Sequence, residues 1–215
     1  MSMDDFRFCT KLDQTLLLGM KARSVHELLQ CMRLAPRSSI YFHTHRFLLT
    51  HNYLTPEPSN DFAYWVTEVL NDHTLGEQLS NIDIIGFPTV TDLQRHLVSL
   101  IERHLDDDPR PRQCVQGEEF HFMASRLFVL QTPLLAHTLS EFAEHLAHVS
   151  VASLYYHVFD ARLRLDNGEN DFSQWFRSQS LSTLADAVLR LDPYTCTLEG
   201  LRKRLLVLIG GYDKH

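Results

Sequence analysis

The second half of this chain repeats its first half, and that limits the folds it can adopt more than any other feature. Shifted by 114 positions, Phe6, Phe8, Leu16, Ala22, Glu27, Ser39, Tyr41, His43 and Leu49 fall on Phe120, Phe122, Leu130, Ala136, Glu141, Ser153, Tyr155, His157 and Leu163. Past a loop four residues shorter, Asn60, Asp61, Phe62 and Trp65 meet Asn170, Asp171, Phe172 and Trp175. Self-similarity at so long a period means two copies of one folding unit. It also sorts the polar residues. A side chain kept in both copies serves the shared fold, whereas one present in a single copy is free to serve a site.

The periodicity predicts an all-α fold of two four- or five-helix units packed with pseudo-two-fold symmetry. The units span 1–105 and 118–215, with a linker at 106–117 that is charged and proline-containing around Asp106 to Arg112. Swapped or shared cores are open to a duplicated fold. Each copy opens on Phe-x-Phe, whose alternation suggests a short extended segment. An apolar run follows, broken by Gly19 in one copy and Pro133 in the other, both helix breakers. Ser24 with Glu27, and Thr138 with Glu141, have the spacing of a capping box. Behind them Val25, Leu28, Leu29 and Met32, and Leu139, Phe142, Ala143 and Leu146, recur at helical spacing.

A second helix is predicted over about 38–49 and 152–165, ended by the loops Thr55–Ser59 and Asp166–Glu169. A third starts at Asn60 or Asp61 and at Asn170 or Asp171, residue types that cap helix N-termini. Two further helices close each copy, near 75–82 and 90–105, then 181–191 and 197–208. Gly210 and Gly211 are expected to end the last one before a frayed tail.

Composition excludes several functions. The formal charge of −7 opposes non-specific nucleic-acid binding, which depends on neutralising phosphates. That charge is concentrated in residues 1–108, where 9 basic residues face 15 acidic ones. No stretch approaches the apolar length of a membrane span, and the acidic N-terminus has no secretory apolar region, so a cytoplasmic location is expected. The four cysteines are scattered without a Cys-x-x-Cys pair, which suggests neither a zinc knuckle nor a disulfide framework.

Thirteen histidines make the chain histidine-rich, and the second helix carries the sharpest cluster: Tyr41, His43, His45, Arg46 and His51. His43 and Arg46 share a helical face with Phe47 and Thr50, whereas His45 lies about 200° from His43. The two histidines therefore miss the i, i+4 spacing of a helical metal pair. Because His43 persists as His157 and Asp61 as Asp171, the conserved imidazole is read as a buried lock bonded to the start of the third helix. A sharper alternative places His43, Arg46, His157, Asp160, Tyr41 and Tyr155 in a ligand-binding cleft between the repeats, with Arg46 and Asp160 meeting across the pseudo-axis. The candidate metal ligands are His43, Asp61 and His157, together with Glu141, His145 and His148 on one helix face. That face carries one unit resembling the Glu-x-x-His pattern of di-iron bundles. There is no nucleophile elbow, P-loop or dinucleotide fingerprint, and no cofactor is indicated.

Taken together, Phe-x-Phe, Lys-Ala-x-x-Val-x-Glu-Leu-Leu (21–29), Ser-Ser-Ile-Tyr-Phe-His-Thr-His (38–45) and Asn-Asp-Phe-Ala-x-Trp-Val (60–66) resemble a bacterial family of domains of unknown function, here in tandem. The second copy has its own counterparts at 153–157 and 170–175. The resemblance implies a bacterial cytosolic protein and brings no reaction, substrate or cofactor. Three readings follow. The first is a non-catalytic ligand-binding or regulatory module, taking a small molecule or a protein partner. The second is a metal- or cofactor-dependent enzyme with its centre in the cleft. The third is a scaffold whose acidic first half docks a basic partner.

Overall fold

The computed structural model describes residues 5–46, 60–165, 167–191 and 197–212. The fold is 59% helical and 19% strand, so it is mixed α/β and corrects the all-α expectation. The strand content lies in two segments of 17 residues each, β1 (Phe6–Ala22) and β2 (Phe120–Ala136). They pair with each other as an antiparallel two-stranded sheet.

The Phe-x-Phe pairs are therefore the first residues of long strands, not short aromatic segments. The remainder was hidden by its exposure. Leu12 and Leu17 are 61% and 65% exposed, and Phe128, Val129 and Leu130 are also open to solvent. The middle of the ribbon, residues 12–15 and 128–131, is exposed on both faces, and such a stretch imposes no alternation of apolar and polar residues, which is the signal a strand normally gives. Gly19 sits at φ 73, a left-handed conformation that suits glycine. Pro133 takes the equivalent place in β2, which a two-stranded ribbon tolerates because each strand has an unpaired edge.

The chain divides into two compact units, Gln14–Arg126, and Met1–Asp13 with Leu127–His215. Each unit thus combines the helices of one repeat with the Phe-x-Phe of the other. In the first unit, β1 leads into α1 (Val25–Leu34). Next come α2 (Arg37–Tyr41), continued by a π-helical turn Phe42–Arg46, then α3 (Asp61–Glu68), α4 (His73–Ser80) and α5 (Val90–Asp107). The second unit holds α6 (Leu139–His148), α7 (Val151–Tyr155) with a π-helical turn Tyr156–Asp160, and α8 (Ala161–Leu165). It is completed by α9 (Asp171–Ser178), α10 (Ser182–Leu189) and α11 (Leu198–Tyr212). The helix α11 runs through both glycines that were expected to stop it, with Leu205 and Ile209 buried beneath its last turns. The end of the predicted helix at 47–49, the loop Thr55–Ser59, Asp166 and the tail 213–215 lie outside the described residues.

Local chemistry explains the elements. Ser24 Oγ accepts from Glu27 N–H at 3.2 Å, while the Glu27 carboxylate accepts from Arg23 N–H at 2.8 Å. Thr138, Glu141 and His137 repeat this, with 3.2 and 2.7 Å bonds. Both boxes thus close one residue further upstream than the standard motif, leaving fewer backbone donors unsatisfied. The other ends of α1 and α6 are held from the last long helix. Gln94 Nε2 donates to the carbonyls of Met32 and Ala35 at 2.8 and 3.0 Å. Arg202 Nη1 donates to those of Leu146 and Val149, both at 2.7 Å. A different residue type performs the same task at the equivalent position, so identity matching misses it.

The segment read as a linker is bonded into the first unit. Arg112 Nη1 and His104 Nε2 both donate to the buried Asp72 Oδ2, at 2.7 and 2.9 Å. Cys114 N–H donates to Arg23 O at 2.8 Å, and Trp65 Nε1 to Glu118 O at 2.7 Å. No helix of the described residues is long and apolar enough to cross a membrane.

Candidate functional site

In the first unit His43 stands in the π-helical turn, 1% exposed. Its Nδ1 lies 2.6 Å from Asp61 Oδ2, and its Nε2 accepts from Met123 N–H of β2 at 2.9 Å. A backbone amide only donates, so Nε2 keeps its lone pair and the ring proton sits on Nδ1, pointing at the carboxylate. Phe42, Phe62, Phe120 and Phe122 surround the ring, with centroids 4.8–5.9 Å away. Asn60 sets the position of Asp61. Its Oδ1 caps α3 at Ala63 N–H (2.9 Å), and its Nδ2 donates to Leu79 O (3.0 Å).

The second unit repeats the arrangement. His157 Nδ1 lies 2.7 Å from Asp171 Oδ2, and Nε2 accepts from Cys9 N–H of β1 at 2.8 Å. Phe6, Phe8, Tyr156 and Phe172 surround this ring. Asp171 has a further partner, Arg164 Nη2 at 2.6 Å. Burial holds His157 below the usual imidazole range, outweighing the opposing pull of Asp171.

Each imidazole is therefore a brace that ties a strand contributed by the other repeat to the start of a helix. The bond from His43 to Asp61 follows from the sequence pattern. The strand partner does not, because it comes from about 80 residues away in one case and 148 in the other. Both histidines lie in turns with π-type hydrogen bonding, which are rare and frequently mark functional positions. The expected regular α-helix is corrected here. A wider turn shifts the 100° steps from which the His43, Arg46, Phe47 and Thr50 face was derived, and Phe47 and Thr50 lie outside the described residues.

The remaining predicted site residues have partners within their own units. Arg46 bonds to Ser125 Oγ. Asp160 forms an ion pair with Lys11, whose ammonium also meets Asp13 at 3.0 Å and lies 3.8 Å over the Tyr155 ring. These pairs occupy equivalent places with inverted chemistry: a cation on the helix in one unit and a carboxylate in the other. Tyr41 stacks on the buried His45, and Tyr155 on Phe159. Of the metal candidates on α6, Glu141 is held by the cap and His145 Nε2 donates to Leu135 O at 3.1 Å, while His148 is exposed. Among the described residues no three His, Cys, Asp or Glu side chains converge on a point a metal could occupy.

The second unit also holds an open depression of about 450 Å³ beside His157. Four of its lining residues, Phe6, His157, Asp171 and Trp175, are kept in both repeats and are termed its floor. The rest of the lining, termed the rim, is Arg7, Cys9, Tyr156, Gln174 and Ser178, where the first unit has His121, Met123, Phe42, Tyr64 and Glu68 at the equivalent positions. Burial, reinforced by Asp171, raises the Cys9 thiol, and burial raises the Tyr156 phenol, so both rest in their neutral forms. The depression therefore offers hydrogen bonds and guanidinium charge, without a thiolate nucleophile. Only the comparison of one repeat with the other at these positions could have drawn attention to the rim from sequence.

Residues 3–210 match a family of unknown function, DUF5752, and the chain belongs to that family. The solved structure of OrfY from Thermoproteus tenax is 30% identical in sequence and superposes with a TM-score of 0.83, covering 100% of this chain and 98% of its own. No curated protein matches.

Proposed function

We propose that this chain is a non-catalytic binding module whose ligand site is the depression beside His157 in the second unit. The observation that carries the reading is the contrast between a floor whose residues recur in both units and a rim found in only one. Duplicated structural residues account for the floor. Nothing in the shared fold requires the rim.

The commitment of the retained histidines supports this over a metal-dependent enzyme built on His43 and His157. Both nitrogens of each ring are hydrogen-bonded, so neither offers a lone pair to a metal or a substrate proton without unfastening a strand. The acidic balance favours a small molecule over nucleic acid. A scaffold role for the acidic first half has weaker support, because Asp61, Asp72 and Asp108 are already paired within that unit.

The test is a thermal-shift screen of the full chain against small-molecule classes, followed by amide chemical-shift mapping. A ligand at 100 times its Kd stabilises the native state by about 2.7 kcal/mol. The reading expects a stabilising ligand whose shifts centre on Arg7, Cys9, Tyr156 and Gln174, and which is recovered chemically unchanged. Turnover of that ligand, or shifts centred elsewhere, refutes it.

A further inference from the structure

We infer that the depression recognises a small molecule bearing an oxyanion, a carboxylate or a phosphate, through the Tyr156 hydroxyl and the Arg7 guanidinium. This rests on the binding reading above and adds the ligand class.

Tyr156 carries the argument. It is 6% exposed and lines the depression, and its hydroxyl has no hydrogen-bond partner among the described residues. Its ring is fully used: it packs edge-on against His157 at 4.9 Å, and the Arg164 guanidinium lies 4.3 Å over its face. The first repeat fills this position with Phe42, which makes the same edge contact to His43 at 5.1 Å. The fold therefore needs the ring and not the oxygen. A polar atom dispensable to the fold, on a buried side chain that lines a depression, is suited to a ligand.

The charges nearby select the kind of ligand. Asp171 is compensated by Arg164, which leaves Arg7. That guanidinium is exposed, makes no ion pair among the described residues, and has one long contact, 3.5 Å, to Thr132 O. By the same alignment of the repeats, His121 stands in place of Arg7 and Thr50 in place of Arg164. A neutral phenol and a guanidinium both donate hydrogen bonds, and Gln174 adds an exposed amide on the same rim. Donors lining one depression together with a cation that makes no ion pair among the described residues fit an acceptor-rich anion, and a guanidinium can hold carboxylate or phosphate through paired bonds.

The test titrates the ¹⁵N-labelled full chain at pH 7.5 and constant ionic strength with inorganic phosphate, with succinate and with neutral glucose. The expected result is saturable shifts at Arg7, Cys9, Tyr156 and Gln174 with one or both anions. Binding of phosphate alone or of succinate alone identifies the source of the oxyanion. Tyr156→Phe should weaken that binding about tenfold, the worth of one hydrogen bond to a charged group. Arg7→His should abolish saturation. Each substitution installs the residue that the first unit holds at the equivalent position, so the melting temperature serves as a folding control. Saturable binding that neither variant changes, or non-saturable shifts spread over many basic residues, overturns the inference. Saturable binding of glucose at the same amides without either anion overturns the oxyanion class and leaves the binding module standing. Failure of every probe to move these amides, alongside ligand-induced shifts elsewhere in the thermal screen, overturns both.

Discussion

Truncating either brace, His43→Ala or His157→Ala, should destabilise its unit by about 3–5 kcal/mol. The loss has two parts. The amide of Met123 or Cys9 loses its acceptor inside a partly buried strand end, which costs about 1–3 kcal/mol. Removing a ring enclosed by four aromatic neighbours leaves a cavity worth about 2 kcal/mol or more. The carboxylates add little, since Asp61 is 26% exposed and can be hydrated, and Asp171 keeps Arg164. A domain's whole stability is about 5–15 kcal/mol, so each variant should lose a large share of it and show a much lower denaturation midpoint. His157→Asn separates the two parts. Its amide can replace the Nδ1–H bond to Asp171 while leaving Cys9 N–H without an acceptor, which should recover about 1 kcal/mol relative to alanine. The assay is urea unfolding at pH 7.5 followed by far-ultraviolet circular dichroism, reading the midpoint at unchanged slope. A loss below about 1 kcal/mol in either alanine variant would show that the ring does not hold the strand.

Acid should weaken the second unit in a defined window. His157 is held below its ordinary range when folded, so between about pH 6.5 and the folded value the unfolded chain takes up a proton that the native state does not. Stability therefore falls as pH drops through that interval and is flat with respect to this group above it. Urea midpoints measured against pH check this, and His157→Asn should remove that part of the slope. Gln94→Ala and Arg202→Ala should each destabilise by about 1–3 kcal/mol by releasing two helix-end carbonyls, measured in the same assay. If Arg202→Gln restores most of the Arg202→Ala loss, the helix-end bonds rather than the charge are responsible.

Signals confined to one stretch of chain were legible in the sequence. The caps at Ser24, Thr138, Asn60 and Asn170 and the bond from His43 to Asp61 all follow from residues in one helix or in neighbouring helices. The strands were not legible, because the middle of the ribbon is exposed and lacks the alternation that burial would enforce. The crossing of Phe6 and Phe8 into the second unit, and of Phe120 and Phe122 into the first, leaves no local trace, since either pairing satisfies the same pattern. The π-helical turns were also missed, because a shift to i, i+5 bonding over one turn demands no particular residue type. The cluster of His104, Asp72 and Arg112 joins residues 40 apart and looks like solvated charge when read in order. For the candidate site, the floor was visible as conserved identity between repeats. The rim was visible only as the lack of it, at Phe42 and Tyr156 above all.

The central claim is that His43 and His157 are neutral braces with both nitrogens engaged. Long-range ¹⁵N–¹H correlation of the imidazole rings at pH 7.5 tests it most directly. The account predicts that both rings are protonated at Nδ1 and bare at Nε2, with scalar coupling across the hydrogen bond from the amide nitrogens of Met123 and Cys9. Rings protonated at Nε2, or exchanging between tautomers as free imidazoles do, would contradict it.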